Sequence, residues 1–294
     1  MKRITQLILV ILMSSTVALA QTGFTPEKIK KLQKAPETTS VAGKSAVKQL
    51  ADVDPNLKPS PVAPSDATWN LQFEWPLGPG ISQAGAECDG SFFYGSVWST
   101  TSVNAGRIYK YDLTGTLVDS IVIPTVSGTR DLAWDGTYFY GGSAGTAIRE
   151  MDFTTQTLVS TITTPVGVNV RHIAYDAVND AFWVGDFNTD IYLVNRLGVV
   201  LDTIPGPLAP LNGRYGSAWD NVSPGGPFLW VFAQGGNGIT LGKIHIATGT
   251  VVATHDMYTE LVNLAPGGLA GGLFTQPGIV PGTTTLGGLV QGEV

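Results

Sequence analysis

One short phrase recurs along the chain and limits its fold more than any other feature. Glu87-Cys88-Asp89-Gly90-Ser91-Phe92-Phe93-Tyr94-Gly95 returns as Ala133-Trp134-Asp135-Gly136-Thr137-Tyr138-Phe139-Tyr140-Gly141, and looser copies surround Asp176 and Asp220. The four anchoring Asp residues stand 46, 41 and 44 residues apart. A period of that size corresponds to one four-stranded sheet per repeat, the blade of a β-propeller. Within each unit Asp-Gly makes a tight turn, because Gly takes positive φ without steric penalty and Asp tolerates it. An aromatic strand follows, then a third strand at 108–112, 148–152, 191–195 or 243–246, and a fourth such as 117–123. Their apolar and polar residues alternate, as in sheets packed face to face around an axis.

A fifth unit begins at Gly267-Gly268-Leu269-Ala270-Gly271-Gly272-Leu273-Phe274, with a second strand over 283–290. Upstream, Trp69, Leu71, Phe73 and Trp75 alternate and have no blade of their own. An N-terminal strand that completes the last blade closes a propeller and removes its exposed edges. The sequence therefore predicts an all-β fold over residues 67–294: a propeller of about five four-stranded blades, the last incomplete, closed by the N-terminal strand. One strand is missing between Val290 and the closing strand, which reads as a C-terminal truncation of a longer chain. The 36 Gly and 18 Pro, with only 14% charged residues, suit such a turn-dense fold.

The residues before the repeats read differently. Met1-Lys2-Arg3, the apolar run 7–13 and Ala18-Leu19-Ala20 have the form of a signal peptide cleaved before Gln21. The run is shorter than the roughly 20 residues of a spanning helix, so a secreted or cell-surface location is expected and a transmembrane segment is not. Residues 21–66 are rich in Lys, Pro, Ser and Thr and read as a flexible linker, with a short helix possible from Thr25 to Lys34. A formal net charge of −6 argues against nucleic acid as a partner. The single cysteine, Cys88, excludes an intramolecular disulfide and a multi-cysteine zinc site.

The phrases Arg130-Asp131-Leu132-Ala133-Trp134-Asp135-Gly136-Thr137-Tyr138-Phe139-Tyr140 and Thr283-Thr284-Thr285-Leu286-Gly287-Gly288-Leu289-Val290-Gln291-Gly292 resemble secreted bacterial propeller proteins typical of Bacteroidota. Members of that group often carry a C-terminal sorting domain for type IX secretion or fibronectin-like modules. The resemblance implies a propeller fold and export, with surface attachment supplied by domains beyond Val294. It brings no catalytic motif.

In a propeller, the turn before each innermost strand and the turn after the second strand surround one mouth of the axial channel. Arg130-Asp131, Arg171-His172 and Arg214-Tyr215 lie at innermost-strand starts, Glu87 lies near the axis, and Trp98 stands in an outer turn as a stacking platform. Guanidinium groups bind carboxylate and phosphate through paired hydrogen bonds, so the three Arg residues make an anion pocket or, alternatively, tie neighbouring blades together. His172 is either a base near neutral pH or a hydrogen-bonded structural residue. Asp186-Phe187-Asn188-Thr189-Asp190 has a fragment of calcium-loop spacing but lacks the following Gly and the distal Glu, so it reads as a turn. No metal or cofactor is expected. These residues point to a secreted, non-enzymatic recognition or scaffold module for a carbohydrate, peptide or small anion. The alternative is a polysaccharide hydrolase or lyase using Glu87, Asp131 and His172.

Overall fold

A computed structural model describes residues 6–13, 70–77, 82–206, 211–261 and 267–291. The predicted linker and its short helix lie outside the described residues, as does Trp69. Two strands precede the repeats, β1 (Gln6–Met13) and β2 (Asn70–Leu77). Blade 1 is β3 (Gln83–Cys88), β4 (Phe93–Val97), β5 (Arg107–Tyr111) and β6 (Leu117–Val122). Blade 2 is β7 (Asp131–Trp134), β8 (Phe139–Gly142), β9 (Ala147–Asp152) and β10 (Thr157–Thr163). Blade 3 is β11 (His172–Asp176), β12 (Ala181–Gly185), β13 (Ile191–Asn195) and β14 (Val200–Ile204). Blade 4 is β15 (Arg214–Asp220), β16 (Phe228–Ala233), β17 (Thr240–His245) and β18 (Thr250–Asp256). The last two strands are β19 (Leu269–Pro277) and β20 (Thr284–Gln291).

The first four blades are antiparallel sheets of four consecutive strands, and the fifth sheet has the order β19-β20-β1-β2. The fifth unit of sequence thus supplies only two strands of its own blade. β2 closes the sheet from outside, in the role expected of the Phe73 and Trp75 strand. The position expected to be vacant is filled from the other end of the chain: β1 runs antiparallel to both neighbours, pairing Leu7 with Val290 and Ile8 with Trp75. This is the same apolar run that the sequence assigns to a signal peptide.

The repeated Asp has a direct physical role. Asp89 Oδ1 accepts from the amides of Ser91 and Phe92, both at 2.8 Å, while Oδ2 accepts from the Tyr94 hydroxyl at 2.7 Å. Asp135 repeats this with Thr137, Tyr138 and Tyr140, all at 2.8 Å. Asp220 does so with Val222, Ser223 and the Trp230 indole. Each carboxylate satisfies the amides of its turn and fixes the aromatic strand that follows. At the centre of that turn Gly136 has φ 99°, a conformation closed to most L-residues.

Five apolar clusters occupy the five interfaces between blades. The seam between the last blade and the first joins Trp75 and Leu77 of β2 and Phe274 and Leu289 of the fifth blade to Phe93 and Tyr111 of blade 1. Trp75 stacks on Phe73 at 4.5 Å and meets Phe93 at 5.5 Å, so the closing strand is held by aromatic packing as well as by its ladder. Between the neighbouring blades 2 and 3, Arg196 of blade 3 reaches Asp135 at 2.9 Å and the Tyr140 hydroxyl at 2.5 Å in blade 2.

β1 sits between β20 and β2, so a chain starting at Gln21 should leave two ladders unpaired. Compared with the chain of 294 residues, it is expected to melt several degrees lower and to exchange amide protons faster in β20 and β2. Equal protection in both chains would show that β1 is not part of the blade.

Candidate functional site

The innermost strands crowd one another at the axis. β7 lies against β3, β11, β15 and β19, the innermost strands of all the other blades. At this level Asp131 is fully buried, and its carboxylate accepts from three other blades: Ile173 and Ser217 amides at 3.0 Å each and the Leu273 amide at 3.3 Å. A Cβ on Gly272 would stand 2.5 Å from Asp131 Oδ1, so only glycine allows this approach. Burial pushes the Asp131 carboxyl above its ordinary pKa, and the Ile173, Ser217, Leu132 and Leu273 amides oppose that shift. The predicted ligand residue Asp131 is therefore a structural hub that no solvent-borne ligand touches.

Two other predicted site residues also belong to the wall of the ring. Arg214 is fully buried and donates to the backbone carbonyls of Leu211 and Thr189. His172 is fully buried against the Ser217 hydroxyl at 3.1 Å. Burial, with Arg214 nearby, pushes its imidazole down to about 3, so it is neutral and is not a base near neutral pH. The reason Arg214 leaves the mouth is a bulge: the ladder of β15 shifts register between Arg214 and Gly216. Counted back from the anchors, Arg130 precedes Asp135 by five residues and Arg171 precedes Asp176 by five, whereas the residue five before Asp220 is Tyr215. That count was available in the sequence and assigns Tyr215, not Arg214, to the third mouth position.

Arg130, Arg171 and Tyr215 do come together. The Arg171 guanidinium pairs with Asp186, stacks 3.7 Å from the centroid of Phe187 and lies 5.6 Å from that of Tyr215. Burial works against the Asp186 carboxylate, but Arg171 and the Phe187 amide hold its pKa below the ordinary range. Arg130 lies 5.1 Å from the ring of Trp98, which is 38% exposed, and no described carboxylate lies within ion-pair distance of it. Its Nε is buried without a hydrogen-bond partner. The Tyr215 hydroxyl is also buried, faces the Arg130 guanidinium, and closes no hydrogen bond of normal geometry with a described residue. Burial raises its pKa, and Arg130 and Arg171 pull against that rise.

The 186–190 segment is a turn, as expected: Asn188 Oδ1 accepts from Gly213 N and Asp190 Oδ1 from Gly206 N, each at 2.8 Å. No group of three His, Cys, Asp or Glu side chains among the described residues is placed to hold a metal ion. Glu87 is separated from the arginine mouth. It lines a cavity of about 210 Å³ at the other end of the axis, beside the Asp turns, together with Trp134, Tyr175 and Trp219. Burial raises the Glu87 pKa well above its ordinary 4.5, the Cys88 amide opposes this, and the nearby Asp131 adds to it.

No protein-family model and no curated protein matches the sequence. Among solved structures, the glutaminyl cyclase of Myxococcus xanthus is 15% identical with a TM-score of 0.52, covering 73% of this chain and 92% of that one. Hydrazine synthase of Kuenenia stuttgartiensis is 17% identical with a TM-score of 0.40, covering 59% and 49% of the two chains. A mitotic checkpoint complex chain is 17% identical with a TM-score of 0.41, covering 70% and 58%. The similarity to the first is one of fold.

Two outcomes test these roles. Asp131→Ala strands three buried amides and is expected to destabilise the protein by roughly 3 to 5 kcal/mol, with Asp131→Asn, which keeps an acceptor oxygen, losing less in urea unfolding. Because the Glu87 pKa is raised in the folded state, its contribution to stability is complete below about 4.5 and is lost as pH rises through the native value. Glu87→Gln should flatten that decline and melt above the parent chain at about pH 8, as followed by thermal unfolding across pH.

Proposed function

We propose that the protein is an exported, non-enzymatic recognition module that takes a carboxylate or other small anion at the arginine mouth. The observation that carries this reading is Arg130: a guanidinium at the mouth without a described carboxylate partner, beside the exposed ring of Trp98 and the Tyr215 hydroxyl. A guanidinium without a counter-ion can take an oxyanion through paired hydrogen bonds. Arg171, already fixed by Asp186 and Phe187, supplies a second positive charge with its position set before any ligand arrives. Trp98 adds an exposed ring at the rim, suited to a sugar face or a peptide side chain. An anionic sugar such as a uronic acid, or an acidic peptide, fits this combination of charge and ring.

Export is supported by the basic start, the apolar run and Ala18-Leu19-Ala20, and by the resemblance to secreted Bacteroidota propellers. Removal of residues 1–20 would vacate the β1 position in the fifth blade. The alternative hydrolase or lyase has less support. Asp131 is occupied by backbone amides, His172 is neutral and enclosed, and Glu87 faces the opposite end of the axis.

Calorimetric titration with glucuronate, a short Glu-rich peptide and sulfate tests the proposal. Arg130→Ala should weaken binding of the preferred anion about 10- to 100-fold, from the loss of a charged hydrogen bond, while leaving the melting temperature within a degree or two. Arg171→Ala should weaken binding and also lower the melting temperature, because it releases Asp186. Absence of anion binding by the folded parent chain would overturn the reading.

A further inference from the structure

The opposite end of the axis holds an acid that packing alone does not require. Glu87 stands two residues before the anchor Asp89, and the same position in the next three blades is Ala133, Ala174 and Ala218. Three blades out of four thus close with a methyl group where blade 1 places a carboxyl. Glu87 is 8% exposed, and its hydrogen-bond partners are backbone amides, with Cys88 N at 2.8 Å and Trp134 N beside it. No described Lys, Arg or His lies within ion-pair distance of it. A buried acid without a cation is disfavoured unless something else meets it.

The cavity beside Glu87 has the chemistry to supply that partner. Trp134, Tyr175 and Trp219, each immediately before an anchoring Asp in three successive blades, contribute to its lining, and the Trp219 Nε1 is buried without a hydrogen-bond partner. No Lys, Arg or His lines it. The second acid of the lining, Asp220, is already engaged by the Val222 and Ser223 amides, the Trp230 indole and Lys243 Nζ at 3.7 Å. Glu87 is left as the one uncompensated acid in an aromatic-lined space of about 210 Å³. Aromatic rings attract cations through their quadrupoles, and an ammonium ion loses less on leaving water where a carboxylate waits for it. A neutral polyol would meet the indole N–H but leave the acid without a counter-charge.

We propose that this end of the axis binds a small organic cation, an alkylammonium or quaternary ammonium group, with Glu87 as its counter-ion and Trp134, Tyr175 and Trp219 as its walls. The site is independent of the arginine mouth. Burial, with the nearby Asp131 and Asp89, favours the protonated form of Glu87 in the empty cavity, so cation entry should release a proton. Calorimetric titration of the full chain with tetramethylammonium and with butylammonium, using glycerol as the neutral control, in two buffers of different ionisation heat, tests this. Binding of at least one cation, a buffer-dependent heat, and no glycerol binding are expected. Glu87→Ala, which installs the residue of the other blades, should keep the fold and weaken cation binding at least tenfold. Trp219→Phe, which removes the N–H and shortens the ring system but keeps an aromatic face, should retain most of it, and Arg130→Ala should leave it unchanged. Failure of the folded parent to bind either cation, equal binding by Glu87→Ala, or glycerol binding as tight as that of the cations would overturn the proposal.

Discussion

The ring depends on one carboxylate at its centre. Asp131 belongs to blade 2, yet its oxygens accept amides from blades 3, 4 and 5, while the backbone of blade 1 passes close by at Gly85. The sheets of a propeller meet mainly through apolar side chains, which attract without fixing direction. A shared acceptor at the axis supplies direction: the innermost strands of blades 3, 4 and 5 must each present one amide at a set height and angle. Gly272 of the last blade follows from this demand, since a methyl group there would collide with the carboxylate and with Ala86 N. Sequence separations of 42, 86 and 142 residues between donor and acceptor mean that the hub forms only when the ring as a whole has assembled.

That hub also sets where ligands can sit. With Asp131 fully buried and β7 against every other innermost strand, the axis is occupied at mid-height. The two ends are therefore separate environments. One carries Arg130, Arg171 and the Tyr215 hydroxyl; the other carries Glu87 in an aromatic-lined cavity. The two ends carry side chains of opposite charge type because those side chains come from different blades and from different positions along the innermost strands.

The repeat itself was legible because its anchor does local work. Asp89, Asp135, Asp176 and Asp220 each satisfy amides two and three residues downstream, so the requirement is written within a few residues and survives divergence elsewhere. Long-range facts were less legible. The bulge in β15 moves Arg214 into the wall and brings Tyr215 to the mouth, and the one-residue offset of Arg214 from the register of Arg130 and Arg171 is its only trace in the sequence. The role of Asp131 depends on amides of three distant blades, and an amide carries no residue type. Arg196 gives no signal because its partners Asp135 and Tyr140 are far away in sequence, although it ties two blades together, the alternative role that the sequence offers for the axial arginines. The filling of the fifth blade by β1 was hidden for a different reason: an apolar run with a basic start satisfies export and strand pairing equally well.

Mouth residues and wall residues differ in what holds them, and this separates recognition from stability. Asp131 directs both carboxylate oxygens at backbone amides of neighbouring strands, and Arg214 and His172 each direct one end of the side chain at a backbone carbonyl or a hydroxyl, while Arg214 Nε and His172 Nε2 stay buried without a described partner. Arg130 Nε is buried in the same way, but its guanidinium lies at the mouth beside the exposed ring of Trp98, with no described carboxylate within ion-pair distance. A protein that buries a hydrogen-bonding atom without a partner gives up stability at that point. At the mouth, Arg130 and the pre-positioned Arg171 bring two guanidinium groups together near Tyr215, with Asp186 the one described carboxylate within ion-pair distance of either. An anion of the kind proposed, bound there by the folded ring alone, would add to the stability of that ring by mass action.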